Sequence, residues 1–356
     1  MGVVKASPIV AATQLHANDM LRTEDGDRRH SPSLAREHYR LLEKMVAAWP
    51  GDRLRHSRVL AAVSGGADSM ALLELLAMAC GRVGFSVLAA YVDHGLRPHA
   101  ADEAAAVEAA AADHGIETRV LKIEDPGAGD EDHLRRRRYE LLENAAAELN
   151  VDWIATAHTR DDQIETVLLR LLRGSGPGGL GGIPPLRGRI IRPLLEVGRT
   201  ELRSLLGALG KPWMEDASNR DPRYRRNRVR MELIPAIEAS FGRGCLEHLA
   251  VVARRWRDDE AFLAAESARF AAFAIRRGAG GPELDLAGFE HTPPPLRSRV
   301  IRQWLRSAGM RGAVGLAQVE RIETLIGSGE ASAIADLPGM RVIKERRRLR
   351  RDGGAR

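Results

Sequence analysis

The chain has 356 residues, of which 44% are hydrophobic and 29% charged, and this composition is typical of a folded protein with room for two domains. No apolar run reaches the roughly 18 residues of a membrane span, and the first residues lack the apolar core of a signal peptide. We therefore expect a cytoplasmic protein without a membrane partner. The two cysteines exclude a disulfide framework and a four-cysteine zinc site, and the net charge of +6 permits a polyanionic partner without requiring one.

Short β-branched runs alternate with longer helical stretches from residue 56 onward. The predicted elements, in chain order, are strand 59–63, helix 69–80, strand 87–92, helix 100–114, strand 119–123, helix 133–149, strand 153–157 and helix 161–172. This alternation predicts an α/β fold, namely a doubly wound parallel sheet with crossover helices on both faces. Residues 1–40 show no clear periodicity and are expected to form a mobile tail.

The pattern changes after residue 172. The segments predicted there are a Gly/Pro-rich loop over 174–188, a short apolar piece over 190–195, a helix over 200–209, a helical stretch over 227–273 broken near Pro235, helices over 295–308 and 317–326, and a closing turn and short hairpin. We expect one domain over 41–240 and a second, smaller, mainly helical domain over 241–356 that ends in the hairpin and a basic tail.

The first motif, SGGADS, lies between a predicted buried strand and the start of a helix. Backbone N–H groups and the helix dipole bind anions at such a position, and the glycines let the backbone approach phosphate oxygens. Asp68 suits Mg²⁺ held between phosphates, and a Walker A loop is excluded because no lysine follows. A plain glycine turn is the weaker alternative. The motif resembles the PP-loop of ATP-pyrophosphatases, which implies ATP binding by Ser64, Gly65, Gly66, Ala67, Asp68 and Ser69.

Asp93 and His94 follow the second predicted strand within the segment YVDHGLR. The carboxyl end of this strand is expected at the same sheet edge as the first motif. Alone, the segment is explained equally well by a polar turn that closes a strand. Together with SGGADS, however, it resembles the tRNA(Ile)-lysidine synthase family. That resemblance implies that Asp93 and His94 contact the nucleotide.

A third motif, AHTRDDQIET, closes the fourth predicted strand and opens a helix. His158, Asp162 and Glu165 are spaced i, i+4 and i+7, so they are expected on one side of that helix. Carboxylates often stabilise a helix N-terminus, which is a sufficient explanation for Asp161. A histidine and two acids on one side are better suited to a cation or an amine. The family has the same motif, which implies that Asp162 and Glu165 bind free L-lysine and take part in catalysis.

Two groups of arginines are expected to contact phosphates. Arg135 and Arg138 match the family's R-x-x-R-Y pattern and share a helical side, so the resemblance implies catalytic residues that steady phosphates or the adenylate. The segment from Arg223 to Arg230 contains five arginines and few acids within four residues, which favours a phosphate-binding patch over a salt-bridged helix start. It also matches the family, and the implied tRNA-binding residues are Arg225, Arg226, Arg228 and Arg230.

The resemblance covers residues 57–240 with several ordered motifs and implies an ATP- and Mg²⁺-dependent ligase. In the family, ATP adenylates the C2 oxygen of the wobble cytidine in the CAU anticodon of tRNA(Ile). The lysine amine then attacks C2 and AMP leaves. Residues 241–356 are expected to bind tRNA and to contribute nothing to ATP or lysine recognition. The oligomeric state is left open, a homodimer included.

Three other functions remain as alternatives. PP-loop tRNA thiolases carry sulfur on cysteines or bind an Fe–S cluster, for which Cys80 and Cys245 are poorly suited because neither has a nearby partner in the sequence. Ammonia-using synthetases share the loop, but the arginine-rich segment over 223–230 favours a tRNA substrate. A nucleotide-regulated RNA-binding module would have no use for the amine-binding arrangement of Asp162 and Glu165.

The Gly/Pro-rich loop over 174–188 is expected to be a mobile active-site loop.

Overall fold

The computed structural model describes residues 32–49, 51–95, 100–124, 131–215, 221–278, 280–312 and 314–352. The chain divides into two compact units, Met1–Arg254 and Arg255–Arg356. The first unit contains a mostly parallel six-stranded sheet with helices, and the second contains a smaller antiparallel sheet with helices. The predicted fold class is therefore confirmed. Among the described residues, no helix is long and apolar enough to cross a membrane.

The sheet of the first unit has the strand order β3-β2-β1-β4-β6-β5. Its strands are β1 (Arg58–Ala62), β2 (Ser86–Asp93), β3 (Thr118–Lys122), β4 (Trp153–Thr156), β5 (Leu186–Arg187) and β6 (Ile190–Ile191). All neighbours pair in parallel except β5 and β6, which are antiparallel. The chain moves outward from β1 to β3 and returns on the other side of β1 as β4. Ligands of open α/β sheets bind beyond the carboxyl ends of the strands at such a reversal.

Helices cover both faces of this sheet. They are α1 (Pro32–Ala47), α2 (Ala67–Val83), α3 (Ala100–Ala112), α4 (Glu131–Glu148), α5 (Arg160–Leu172), the single turn α6 (Pro177–Leu180) and α7 (Arg199–Leu209). Side chains alternate between faces along a strand. Val59 and Ala61 of β1 accordingly pack in one core with Leu72 of α2, while Leu60 packs in the other with Leu142 of α4. The two cores fix β1, and hence the loop that follows it, from both sides.

Helix α1 corrects the expected N-terminal tail. The sequence predicts a tail that reaches residue 40, but α1 begins at Pro32. Leu41, Leu42 and Met45 of this helix are buried in the core of the first unit. Val46 joins them in this core. The spacing is helical, but these apolar positions span only six residues, which is too short a pattern to recognise. Residues 1–31 lie outside the described residues.

The long helical stretch predicted over 227–273 is present but is broken elsewhere. It consists of α8 (Arg225–Arg228), a π-helical turn (Val229–Leu233), α9 (Ile234–Phe241) and α10 (Glu247–Ala274). The break lies at 242–246, where Gly242 and Gly244 adopt φ angles of 93° and 82°, rather than at Pro235. The π turn directly before Pro235 widens the backbone, which relieves the clash that a proline ring makes with the preceding turn of a regular α-helix.

The second unit contains more strand than the predicted hairpin. A five-stranded antiparallel sheet has the order β7-β8-β11-β10-β9. The strands are β7 (Ile275–Gly278), β8 (Gly281–Asp285), β9 (Ser332–Leu337), β10 (Met340–Glu345) and β11 (Arg348–Arg351), and the helices are α11 (Leu286–Glu290), α12 (Pro294–Ser307) and α13 (Leu316–Gly327). The predicted helices are confirmed, whereas the residues expected in a basic tail form β11. In this strand Leu349 is buried between the exposed Arg348 and the half-buried Arg350. The run of arginines therefore hides the single apolar position that would indicate a strand.

Candidate active site

The PP-loop motif lies where β1 ends and α2 begins, at the reversal of strand order. Gly65 adopts a φ of +78°, which a glycine reaches without strain, and its carbonyl accepts a hydrogen bond from the backbone of Met214 at 2.9 Å. Ser69 Oγ accepts from the Ser64 backbone at 3.0 Å and donates to the Gly66 carbonyl at 2.9 Å. Because Ala67 is the first helical residue, the loop stands over the N-terminus of α2, as the sequence predicts.

Asp68 lies in the first turn of α2, with its side chain 26% exposed. Burial is the main influence on this carboxyl and raises its pKa, although Arg199 opposes the shift. Arg199 Nε donates to Asp68 Oδ2 at 3.2 Å. Asp68 is therefore a partly solvated carboxylate beside the predicted phosphate loop, within reach of a ligand.

Asp93 and His94 lie at the carboxyl end of β2, which neighbours β1 in the sheet. Asp93 Oδ1 accepts a hydrogen bond from the Gly95 backbone at 2.8 Å, which stabilises the turn that leaves the strand. Asp93 also lines a cavity of about 260 Å³, together with Tyr91 and Lys122. The rest of the YVDHGLR motif, from Leu96 onward, lies outside the described residues.

Asp162 and Glu165 lie at the start of α5 and meet three guanidinium groups. Glu165, fully buried, accepts from Arg199 Nη1, Arg226 Nε and Arg230 Nε, each at 2.7 Å. Asp162 Oδ1 accepts from Arg226 Nη2 at 2.8 Å and from Arg199 Nη2. Since Arg199 also contacts Asp68, one guanidinium joins the phosphate loop to both acids. The cluster of Asp68, Asp162, Glu165, Arg199, Arg226 and Arg230 is called the acid–arginine cluster below.

The charges in this cluster stabilise one another. Burial alone would raise the pKa of Asp162 and of Glu165, but the surrounding arginines outweigh burial and leave both below their ordinary values. The acids in turn raise the pKa of Arg199 and Arg226 against the opposing effect of burial. Asp162 also accepts from the Thr159 backbone at 2.8 Å in a capping box that fixes the start of α5. Both acids are thus held ionised and in one place.

The arginine-rich segment splits into two sets. Arg225 and Arg228 are exposed, whereas Arg226 and Arg230 turn inward to the acids. Few acids lie within four residues of these arginines in the sequence, but the partners of the inward pair lie more than 60 residues away in the chain. Apolar packing between α5 and the 229–250 region, centred on Ile164, brings these distant residues together. The expected phosphate-binding patch is therefore half solvent-facing and half ion-paired.

A second cationic group surrounds Tyr139 of α4. Arg135 and Arg138 of α4 stack over the Tyr139 ring, with the guanidinium carbons 5.3 and 5.5 Å from its centroid. Arg135 Nη2 lies 3.1 Å from His158 Nε2. Burial would raise the pKa of Tyr139, but Arg135, Arg192 and Arg138 together leave it lowered. His158 therefore contacts an arginine, and the expectation that it lies on one helical side with Asp162 and Glu165 is wrong, because it precedes α5 and its ring nitrogens meet Arg135 and Thr156.

The Gly/Pro-rich loop is fastened to α5 by side chains. Gln163 donates to the Ile183 carbonyl at 2.8 Å and accepts from the Ile183 backbone at 2.6 Å. Arg170 Nη1 donates to the carbonyls of Gly179 and Gly182, both at 2.7 Å. Arg192, which is only 3% exposed, donates to the Pro184 carbonyl at 2.8 Å. The loop predicted to be mobile is thus hydrogen-bonded at several points.

Comparison with known proteins agrees with this geometry. A family model described as a PP-loop domain matches residues 33–237, and one described as a TilS substrate binding domain matches residues 284–350. The fold and the loop at its strand reversal define an ATP-using PP-loop enzyme. Curated relatives narrow the class further. A tRNA(Ile)-lysidine synthase of Salinispora arenicola is 41% identical over 82% of this chain and 89% of the relative, and one of Thermobifida fusca is 37% identical over 80% and 88%. The chain belongs to the tRNA(Ile)-lysidine synthase family.

A solved structure shares the fold at low sequence identity. The U34-tRNA thiolase NcsA from Methanococcus maripaludis, determined with its [4Fe-4S] cluster, superposes with a TM-score of 0.54 and 19% identity over 62% of this chain and 79% of that chain. The described residues of the present chain contain no group of three or more His, Cys, Asp or Glu side chains that could hold a metal ion. At 19% identity the likeness is one of fold alone.

Sequence reasoning missed three residues of the site. Arg199 is the first residue of α7, and its partners lie 34 to 131 residues earlier in the chain. Met214 contacts the phosphate loop through its backbone, which no side-chain pattern reveals. Arg192 follows the two-residue strand β6 and is buried in an otherwise apolar stretch. The isolated charge between Ile191 and Pro193 is a signal in the sequence, because arginine is almost never fully buried unless it is paired.

Proposed function

We propose that the protein ligates lysine to C2 of the wobble cytidine in the CAU anticodon of tRNA(Ile), with ATP converted to AMP and pyrophosphate. One observation carries this proposal. Arg199 donates both to Asp68, next to the phosphate loop, and to Asp162 and Glu165, the acids suited to an amine. This contact supports the proposal, because a reaction that joins an adenylated oxygen to an amine requires the ATP site and the amine site to be adjacent.

The chemistry explains why ATP is needed. The C2 oxygen of cytidine is a poor leaving group, so it first attacks the α-phosphorus of ATP and pyrophosphate departs. The lysine amine then attacks C2, and AMP leaves with the oxygen while the nitrogen loses a proton. The nucleophile comes from the substrate, so the protein supplies position and charge. A catalytic cysteine has no part in this scheme.

Asp68 is the residue suited to Mg²⁺. Magnesium is usually bound by one or two carboxylates together with substrate phosphates and water, so a single partly exposed carboxylate beside a phosphate loop fits the ion. A bound Mg²⁺ would neutralise charge on the phosphates. Asp68 would hold it next to Ser64 and Ser69, whose hydroxyls lie 3.2 Å apart at the loop. Arg199 would then keep its contacts with Asp162 and Glu165.

Lysine binding requires room at the acid–arginine cluster. Arg226 and Arg230 occupy carboxylate oxygens that the lysine ammonium would use. Both lie on the same segment as the exposed Arg225 and Arg228, and a π turn follows α8 at Val229. We propose that tRNA phosphates draw Arg226 and Arg230 away from the acids, so that lysine enters only when the RNA is bound. Single π-helical turns inside α-helices are frequent at functional sites.

The second unit is the other candidate for tRNA contact. It contains the residues matched by the substrate-binding family model. Arg277 in β7 and Arg346 in the turn after β10 are exposed there. RNA stems are held mainly through phosphates and 2′-hydroxyls, for which exposed guanidinium groups are suitable. We propose that this unit holds the tRNA body and takes no part in ATP or lysine recognition.

The experiment that tests the function is an incubation with ATP, labelled lysine and tRNA(Ile) bearing a CAU anticodon, with each component omitted in turn. Labelled lysine should enter the tRNA only in the complete mixture, with AMP and pyrophosphate as products. A transcript with a UAU anticodon serves as the control and should stay unlabelled. Formation of ADP and phosphate, or incorporation of sulfur in place of lysine, would refute the proposal.

The role of the acids is tested with Asp162→Asn. Loss of a hydrogen bond to a charged group typically costs about 1.5–3 kcal/mol, so lysine incorporation should fall roughly tenfold to a hundredfold. Formation of the adenylated tRNA should fall much less. Asp221→Asn is the matched control, because Asp221 pairs with the exposed Arg223 instead. Equal loss of adenylation and lysine use would assign Asp162 to the nucleotide.

A further inference from the structure

His158 is held between two partners whose chemistry determines where its proton lies. Its Nε2 is 3.1 Å from Arg135 Nη2, and its Nδ1 is 3.0 Å from Thr156 Oγ1. A guanidinium group has donors and no acceptor, so Nε2 must carry a lone pair and accept from Arg135. A neutral imidazole then has its proton on Nδ1, which donates to Thr156. The two contacts define one tautomer and exclude the doubly protonated ring.

The largest electrostatic influences on His158 all oppose its protonation. Arg135 and Arg138 approach from α4, Arg192 from the end of β6 and Arg226 from α8, and His158 itself is only 8% exposed. Burial, followed by these four charges, holds the pKa of His158 well below 6.5. The ring consequently stays neutral throughout the physiological range and remains an acceptor.

Arg135 needs such an acceptor because its other described partners are weak. It lies 3.4 Å from the Tyr139 hydroxyl and stacks over the Tyr139 ring. Neither contact fixes the rotation of the guanidinium plane as a hydrogen bond to a rigid ring nitrogen does. The imidazole is itself fixed by Thr156, which lies in β4 and is buried in the sheet. Thr156 of the sheet therefore fixes His158, and His158 in turn fixes Arg135.

We propose that His158 is a positioning residue, locked as the Nδ1–H tautomer, that orients Arg135 toward a phosphate oxygen of the reacting nucleotide. Arg138 and Arg192 lie around the same tyrosine and supply further positive charge. The inference rests on the proposed function, since it assumes that adenylation occurs in this site. It assigns to His158 neither proton transfer nor lysine binding.

The test compares three residues at position 158 in tRNA-dependent AMP formation. His158→Leu removes the acceptor, and kcat should fall about tenfold to a hundredfold, the effect of a lost hydrogen bond to a charged group. KM for lysine should stay unchanged. His158→Gln places an amide oxygen near the former Nε2 and should recover most of that loss. The pH profile of His158→Leu should have the same shape as that of the wild type, because the histidine does not titrate there.

A double-mutant cycle makes the inference specific. If His158 acts through Arg135, His158→Leu should cost less than about threefold in an Arg135→Gln background, since the effects of coupled residues are not additive. Thr156→Val covers the case in which His158→Leu does not fold: it frees the tautomer and should lower kcat, and Thr156→Ser should restore it. Multiplicative effects in the cycle, equal activities of the Leu and Gln variants, or loss of an acidic limb from the pH profile would overturn the proposal. A wild-type protein that forms no AMP would instead refute the proposed function.

Discussion

Each of the three guanidinium nitrogens of Arg199 donates to a different carboxylate. One carboxylate belongs to the SGGADS motif and the other two belong to AHTRDDQIET. Nε donates to Asp68, Nη1 to Glu165 and Nη2 to Asp162. A lysine at this position would have a single ammonium and could not match the fork of a guanidinium group. The side chain is 18% exposed, so little water is present to replace its hydrogen bonds.

Arg199→Met should therefore be strongly destabilising. Without Arg199 the cluster keeps three carboxylates and only two arginines, Arg226 and Arg230. Breaking a buried ion pair from one side typically costs about 3–5 kcal/mol, because a buried charge is left without its balancing partner. Chemical denaturation followed by circular dichroism measures the change. Arg203→Met in the same helix is the matched control. Its pair with Glu215 is half exposed, and such pairs contribute about 0–1 kcal/mol. Equal effects of the two substitutions would mean that the buried contacts add no stability.

The acids of the cluster should give stability a definite pH dependence. Because Glu165 and Asp162 have a lower pKa in the folded chain than in the unfolded one, their contribution is present above about pH 4.5 and disappears as the pH falls through the lower folded-state pKa. Glu165→Gln should make the decrease of the unfolding free energy at acidic pH shallower.

Asp68 affects the pH dependence of stability in the opposite direction, since its raised pKa makes its charge unfavourable at neutral pH. Asp68→Asn should accordingly stabilise the fold at pH 7, and denaturation at pH 3 to 8 measures both.

At the scale of elements, two glycines of the Gly/Pro-rich loop have similar backbone conformations but different surroundings. Gly182 and Gly188 both adopt positive φ angles, 68° and 60°. A Cβ at Gly182 would lie 2.2 Å from Gln163 Oε1, whereas a Cβ at Gly188 would meet no atom within 4 Å. Gln163 is the residue that holds Ile183, so Gly182 leaves the space that this contact needs.

Gly182→Ala should release the loop, and Gly188→Ala should not. Both substitutions carry the backbone cost of a left-handed alanine, about 1–2 kcal/mol. Only the first displaces Gln163 and with it both hydrogen bonds to Ile183. Hydrogen exchange of the amides over 179–183 should therefore become faster in Gly182→Ala alone. Faster exchange in both variants would show that backbone strain, rather than Gln163, controls the loop.

The elements also show which structural features a sequence can disclose. The crossover helices and the first four strands of the first sheet were predictable because strand-like and helical patterns alternate from residue 56 onward. Strands β5 and β6 were not, because two residues are too few to show a pattern. Helix α1 and strand β11 were not, because their buried positions, such as Met45 and Leu349, are few and surrounded by charge. Motif residues could be placed at one sheet edge by topology alone. The pairing of Arg226 with Glu165 could not, because it depends on how α5 packs against a segment 61 residues later.

At the scale of the whole molecule, the positive charge should appear in the salt dependence of tRNA binding. Each phosphate contact contributes roughly 0.7–0.9 to the slope of log affinity against log salt concentration. Replacing Arg225 and Arg228 by Gln, or Arg277 and Arg346 by Gln, removes two guanidinium groups and should reduce the slope by about 1.4–1.8 in each case. Arg347→Gln is the control, since Arg347 is exposed but paired with Glu290. If only one of the two double variants changes the slope, only one unit touches the RNA.

The guanidinium groups that already occupy Asp162 and Glu165 have a consequence for the choice of amino acid. A cluster that accepts three arginine side chains from its own chain will also accept the side chain of free arginine, since the charge and the donors are the same. Arginine nevertheless cannot replace lysine as a substrate, because its nitrogens stay protonated at any pH that proteins tolerate and share their lone pairs across the plane. Free arginine should therefore compete with lysine without being ligated. Fidelity toward the amino acid would then reside in the reactivity of the nitrogen rather than in exclusion from the site.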